Sequence, residues 1–160
     1  MSWRFSLRSQ AVEMRIELLA HDFDPWLTLR QYPVQTDYGA TAVFVGTMRE
    51  MNQGDAVRTM FLEHYPGMTE QQLAQLVEQA CQRWAIEDCL LLHRVGEVTP
   101  QDTLVVVAVW SKHRGDALDA CHFLIENLKH QAPFWKRETL ISGASRWVSG
   151  NSDGYLRKDA

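Results

Sequence analysis

Between Ser111 and Glu138 the chain reads Ser-Lys-His-Arg-Gly-Asp-Ala-Leu-Asp-Ala-Cys-His-Phe-Leu-Ile-Glu-Asn-Leu-Lys-His-Gln-Ala-Pro-Phe-Trp-Lys-Arg-Glu. The protein has four lysines, and Lys112, Lys129 and Lys136 all fall in this window, with His113, Arg114 and Arg137 beside them. The chain as a whole is acidic, with a formal net charge of −4. Arginine forks hold phosphate or carboxylate through paired hydrogen bonds. A lysine amine serves as acid, base or temporary nucleophile. These residue types point to an anion-binding site with lysine-assisted transfer chemistry. The plainer alternative is a solvated basic face whose lysine complements a helix C-terminus.

The elements that position these groups can be read from periodicity. Thr103 to Trp110 is an almost unbroken apolar run, as expected of a central strand covered on both faces. Polarity switches at Ser111, and a helix is predicted over Gly115 to His130. Its buried stripe is Ala117, Cys121, Leu124 and Leu128, at spacings of four, three and four. Lys129 lies about 100° around the axis from Leu128, at the stripe's edge, where partial desolvation favours a neutral amine. Pro133 stops the helix, and Phe134 to Glu138 continues in extended form. In a strand Lys136 and Glu138 share one face, opposite Trp135 and Arg137.

Upstream, Arg15 to Leu19 reads as the first convincing strand. Asp24 caps a short helix with Pro25 in its first turn and Trp26, Leu27 and Leu29 directed to the core. Gly39 to Gly46 is a buried strand, and the polar segment from Thr47 to Asp55 is a mobile loop that displays Arg49. A strand over Val57 to His64 ends at Pro66-Gly67. A helix capped by Thr69 and Gln72 follows, with Leu73, Leu76, Val77, Ala80, Cys81 and Trp84 on its packed face. Cys89 to Val95 is the next strand, hairpinned to the central one. Strand, helix and strand from Val57 to Val95 fit a βαβ unit. Arg146 to Val148 adds a last strand or a partner-facing patch. The fold class is α+β: a single layered domain with a mixed, mainly antiparallel sheet and packed helices. The domain runs over residues 14–149, preceded by a loose extension (1–13) and followed by a polar, glycine-rich flexible tail (150–160).

Composition excludes several function classes. The negative charge argues against nucleic-acid binding, which rests on excess positive charge. No apolar run reaches the length of a membrane span. Cys81, Cys89 and Cys121 form no C-x-x-C pair, so they are read as reduced thiols packed as small apolar groups in a cytoplasmic protein. P-loop, G-x-G-x-x-G and G-x-S-x-G signatures are absent, and the six histidines lack metal-ligand spacing. His64, His93 and His113, near strand ends, are the histidines placed to converge.

Four segments carry a family resemblance: Phe44-Val-Gly-Thr-Met-Arg49 with Asn52-Gln-Gly-Asp55; Leu62-Glu-His-Tyr-Pro-Gly-Met68; His93-Arg-Val-Gly-Glu97; and Ser111-Lys-His-Arg114 continuing through Lys129 to Ala132-Pro-Phe-Trp-Lys-Arg-Glu138. In this collinear order the chain, from about Arg15 to Val148, resembles the large, catalytic subunit of molybdopterin synthase, the MoaE family. The resemblance implies an α/β-hammerhead-like fold. It implies transfer of two sulfurs to cyclic pyranopterin monophosphate, making the molybdopterin dithiolene. The sulfur arrives as a thiocarboxylate on the C-terminal Gly-Gly of a small ubiquitin-like carrier subunit. The family pattern is a large-subunit homodimer within a heterotetramer, with no metal or cofactor at this step. By motif, Lys129 and Lys136 are the expected catalytic residues. Arg49, His113 and Arg114 are expected to hold the phosphate or pterin, with Thr47, Met48, Arg137 and Glu138 contributing flanking contacts. The segments before Met14 and after Ser149 do not match the family pattern, and Lys112 replaces a residue usually small; it is read as pointing to solvent. The rival readings are a non-catalytic scaffold for the carrier protein and an anion-binding module with no carrier.

Overall fold

The computed structural model describes residues 3–9 and 12–149, with side chains described from Met14 onward. Thirteen elements follow in order: β1 (Trp3–Ser9), β2 (Val12–Leu19), α1 (Pro25–Gln31), β3 (Ala40–Thr47), β4 (Met51–Asn52), β5 (Asp55–His64), α2 (Met68–Arg83), β6 (Asp88–Arg94), β7 (Gly96–Val98), β8 (Thr103–Ser111), α3 (Arg114–Gln131), β9 (Phe134–Leu140) and β10 (Ser145–Trp147).

They form two sheets. The first has the order β1-β2-β6-β8-β3, with β2 and β6 parallel and the other neighbours antiparallel. The second has the order β10-β9-β5-β4, with β7 also paired to β5. The mixed, mainly antiparallel α+β architecture is the one that the apolar patterning predicts.

Alternation along β6 and β8 explains the layers. Cys89, Leu91, Val107 and Val109 join the core beneath α2 and α3, which also holds Leu73, Leu76, Leu124 and Leu128. Leu90, Leu92, Val106, Ala108 and Trp110 face the other way, under Tyr32 and Leu19. Both faces of these strands are therefore dry, as an unbroken apolar run requires. Tyr32 stacks on Trp110 with ring centroids 4.5 Å apart, and its hydroxyl donates to buried Asp88 (2.8 Å). Asp88 also accepts from the Tyr38 hydroxyl (3.3 Å) and the Cys89 amide (2.7 Å), so the segment after α1 is pinned to the sheet by one carboxylate. A third, smaller core of Met48, Val57, Met60, Leu62 and Val98 lies beneath the second sheet.

Several expectations are corrected. The loose extension drawn over residues 1–13 contains β1, which pairs along its full length with β2, from Trp3↔Leu18 to Ser9↔Val12. The tail drawn over 150–160 lies outside the described residues. Asp24 does cap α1, accepting from the amides of Trp26 (2.8 Å) and Leu27 (3.0 Å). Trp26 and Leu27, however, are 62% and 47% exposed, because a helix of two turns can cover the sheet with only one side. The cap of α2 is Gly67, whose amide donates to Glu70 (2.6 Å); Thr69 is the second residue of the helix and accepts from the Tyr65 amide (3.1 Å).

The βαβ unit over Val57–Val95 does not form. β5 exposes Arg58, Phe61 and Glu63 and buries Val57, Met60 and Leu62, a pattern that suits a sheet with one wet face. β6 is buried at all seven positions and pairs with β2 and β8 in the other sheet. Thr47 to Asp55 is not an open loop. β4 pairs with β5 around a tight turn at Gln53 (φ 52°) and Gly54 (φ 85°), where glycine removes the strain of a left-handed backbone.

Leu124 is fully buried in the core between α3 and the sheet. Leu124→Asp places an unpartnered carboxylate there and is expected to abolish the cooperative thermal transition, at a cost of roughly 3–5 kcal/mol or more. A melting temperature equal to wild type would show that this helix face is wrongly assigned.

Candidate active site

Pro133 ends α3, and the chain reverses at once into β9. This places Lys129, in the last turn of the helix, and Lys136, on the inner face of the strand, around one cavity of about 700 Å³. Its floor is Phe44, Gly46, Leu104, Val105 and Leu128, and one wall is Met60, Leu62, His93 and Phe134. A side chain at Gly46 would press on Val105 (2.8 Å) and Phe44 (3.1 Å), so the floor there admits only hydrogen. Thr47, Met48, Arg49, Met51, Asn52 and Gln53 line the rim, supplied by the end of β3 and the β4–β5 hairpin.

Electrostatics in this space are unusual for a lysine. Burial lowers the Lys136 pKa, the nearby Lys129 lowers it further, and Glu138 opposes the shift. A neutral amine is thus reached at lower pH than in water. Lys129 is half-buried, with its Nζ 5.9 Å from the centroid of the Phe44 ring. His93 is buried in the cavity wall and stacks on Phe134 at 3.9 Å between centroids. Burial depresses its pKa to about 4, and the cations Lys136 and Lys129 act in the same direction.

Glu138 is buried and fully engaged. Oε1 accepts from Asn52 Nδ2 (2.6 Å), and Oε2 accepts from Arg146 Nε (3.0 Å). Arg146 also donates to Asp55 (2.7 Å) and to the Asn52 carbonyl (2.9 Å). This network ties β9 and β10 to the hairpin at the cavity rim. Met48, also buried, anchors the other side: its amide donates to the Asp102 carbonyl (2.9 Å), and its carbonyl accepts from the Gln101 amide (2.9 Å).

Of the residues singled out from sequence, Lys129, Lys136, Thr47, Met48, Arg49 and Glu138 line this cavity. Three others do not. His113 and Arg114 are exposed at the opposite end of α3, about 22 Å from Lys129 along the helix axis. Arg137 faces outward on β9, its guanidinium carbon 5.7 Å from the ring centroids of both Phe61 and Trp147. The alternation that aims Lys136 inward turns Arg137 away. Glu138 keeps its place, but as the anchor of the hairpin. His64 and His93 are close enough to interact electrostatically, whereas His113 lies elsewhere. Lys112 is exposed and sits 3.7 Å from Glu87.

Sequence reasoning missed Phe44, Phe134 and Arg146 as contributors to the site. Only the alternation that places Phe134 with Lys136 gave a signal. The cysteines are free and half-buried or buried, and burial raises all three thiol pKa values. Among the described residues, no group of three or more His, Cys, Asp or Glu could hold a metal ion, and no helix is long and apolar enough to cross a membrane.

A layered α+β domain with two lysines around one rimmed cavity defines a class: an α+β domain with a cationic small-molecule pocket. The family model described as MoaE protein matches residues 19–131, and the chain belongs to that family. It is 54% identical over 110 residues to the molybdopterin synthase catalytic subunit of Ralstonia nicotianae, covering 69% of this chain and 62% of that relative. It is 44% identical to the subunit of the same name from Haemophilus ducreyi, covering 83% of this chain and 87% of the relative. The solved structure of molybdopterin synthase from Staphylococcus aureus superposes with a TM-score of 0.74 at 30% identity, over 82% of this chain and 94% of that one.

The cavity histidine has a consequence for acid stability. Its pKa is about 4 folded against about 6.5 unfolded, so between these values the unfolded chain binds the extra proton. Stability is therefore fully present above pH 6.5 and is lost as pH falls toward 4. Urea unfolding at pH 7 and pH 4.5 is expected to show His93→Gln losing roughly 2–3 kcal/mol less than wild type over that interval. Equal losses would mean that His93 is not held neutral by burial.

Proposed function

We propose that this chain is the catalytic subunit of a molybdopterin synthase. It transfers sulfur from the C-terminal thiocarboxylate of a small ubiquitin-like carrier subunit to cyclic pyranopterin monophosphate. The observation that carries this reading is the convergence of Lys129 and Lys136 on one cavity, in a chain whose relatives bear that name. At about 700 Å³ the cavity is in the size range of small-molecule sites.

Each residue then has a task. Arg49 at the rim offers a forked donor to the cyclic phosphate. The carrier's thiocarboxylate sulfur bonds to a carbon of the pterin side chain as a carbon–oxygen bond at that carbon breaks, the oxygen leaving with the opened phosphate arm or, protonated, as water; the carrier is then joined to the pterin by a thioester. Water then cleaves that acyl–sulfur bond, leaving sulfur on the pterin and a carboxylate on the carrier. A lysine ammonium placed at the acyl oxygen stabilises the charge that develops during this cleavage. The amine whose pKa burial has lowered, Lys136, exchanges protons with the water and the substrate more readily than a solvated lysine. The apolar side chains of the floor lower the local polarity around the amines, which strengthens both effects. Unpaired cysteines suit a reducing cytoplasm, where we place the reaction.

His113 and Arg114 remain in this reading through assembly. One chain cannot bring them to its own cavity, because the length of α3 separates them from Lys129. In a homodimer they serve the cavity of the partner subunit, supplying cations for the substrate phosphate. The scaffold alternative loses ground because both lysines and the rim arginine are present and positioned around the cavity.

Lys129→Ala is expected to keep the wild-type melting temperature and to abolish dithiolene formation in a single-turnover mixture with thiocarboxylated carrier and cyclic pyranopterin monophosphate. Mass spectrometry follows the product, and wild-type turnover in the variant would remove Lys129 from the mechanism. A second experiment tests the shared site. Lys129→Ala and Arg114→Ala chains, each impaired alone, are mixed and allowed to exchange. Each mixed dimer then holds one intact site, and about a quarter of wild-type activity is expected to return. No recovery after demonstrated exchange would place Arg114 outside the partner's site.

A further inference from the structure

The first sheet ends on one side in β3, and this edge is unlike the other strand edges of the molecule. Among the described residues β3 pairs with β8 alone. It is eight residues long and reads Ala-Thr-Ala-Val-Phe-Val-Gly-Thr, without a charge or a proline. At the opposite edge β1 carries Arg4 and Arg8, while β7 and β10 have three residues each and β4 has two. Short strands, charges and prolines are the devices that keep a sheet edge from pairing with another chain. The β3 edge has none of them, and Val43 at its middle is 42% exposed.

This edge runs between the two places that a shared site has to bring together. Ala40, at the start of β3, pairs with Ser111, just before His113 and Arg114. Gly46 and Thr47, at its end, line the cavity. The strand spans about 23 Å, and Arg114 lies about 22 Å from Lys129 along α3. The sides of α3 are also unequal. Phe123 packs on Trp84 and under Arg83, at the end of α2. Lys129, about 120° around the axis from Phe123, reaches over β3, with Nζ 5.9 Å from the Phe44 ring centroid. Leu118 is about 20° from Lys129 around the helix and Arg114 about 60°. Arg114, Leu118 and Lys129 thus stand on the flank of α3 that follows the β3 edge, and Leu118 there is 59% exposed.

We propose that β3 is the contact between two copies of this chain, which pair edge to edge and antiparallel about a twofold axis near Val43 and Phe44. A twofold axis perpendicular to a sheet reverses strand direction and keeps both copies of α3 on one face. The start of the partner's β3 then lies beside the end of this one. Because strand and helix span nearly the same length, Arg114 of the partner subunit arrives at the cavity of this chain, and the exchange is mutual. The other exposed aromatic surface, with Phe61, Trp135 and Trp147 on the second sheet, faces away from the cavity and offers no such exchange.

The proposal rests on the shared site of the preceding section, and assembly tests it apart from turnover. In a homodimer Val43→Lys and Val43→Glu each set two like charges about the axis. Each is expected to weaken the dimer at least about tenfold by sedimentation equilibrium. Mixed in equal amounts they set opposite charges there, and the dimer is expected to return. Dimers of wild-type strength in both variants overturn the proposal, as does wild-type protein that stays monomeric. A variant that remains dimeric yet no longer binds the carrier subunit overturns it too, because the edge then belongs to the carrier. Wild-type protein gives a second test should a variant fail to fold. Amide exchange over residues 40–47 is expected to quicken on dilution through dimer dissociation, while residues 88–94 stay unchanged; exchange in β3 that ignores dissociation rejects the contact. Recovery in the Lys129→Ala and Arg114→Ala mixture, with full-strength Val43→Lys dimers, keeps the shared site and moves the contact elsewhere. Charge-paired dimers without that recovery keep the β3 contact and remove Arg114 from the site.

Discussion

Two amines of like charge around one partly dry cavity form the constraint on which the rest of this structure depends. Their mutual repulsion grows as water is excluded, so the fold must hold them together against it. It does so covalently and by packing. The helix ends at Pro133, the chain turns at once, and Lys129 and Lys136 are left only seven residues apart on two differently packed elements. The helix is held by its buried stripe, and the strand by its pairing with β5. Neither element can retreat, and protonation of Lys136 is disfavoured, first by its burial and then by the nearby Lys129.

The first sheet supplies the rigidity. With β6 and β8 dry on both faces, the floor of the cavity rests on the least deformable part of the molecule. The rim is built differently. The β4–β5 hairpin rests on the smaller core of Met48, Val57 and Met60, and its tip is tied by the polar cluster of Glu138, Asn52, Arg146 and Asp55. A cavity rim held by hydrogen bonds opens at lower cost than one held by packing. The division matches the work: fixed amines below, an adjustable rim above.

His113 and Arg114 stand at the start of α3, a helix length away from Lys129 in its last turn. Their positions at the start of α3 follow from where the apolar strand ends, and no rearrangement within the domain carries them across the length of a helix. Cations that far from the cavity act on another molecule's ligand or on none.

Much of this was legible before any coordinates. The stripe of Ala117, Cys121, Leu124 and Leu128, the covered strand over Thr103–Trp110, the Asp24 cap and the inward pairing of Lys136 with Glu138 each follow from local periodicity, which depends on spacings of two, three or four residues. The sequence alone thus determined the main elements, the two lysines on their proper faces and, by resemblance, the family. Tertiary structure decided the rest. It placed β5 in a second sheet, gave Trp3–Ser9 a strand partner, engaged Glu138 with Arg146 and left Arg137, His113 and Arg114 outside the cavity. The reason is the same in each case. Which strands pair, and in what register, is set by contacts between residues far apart in the chain, and local pattern carries no information about them.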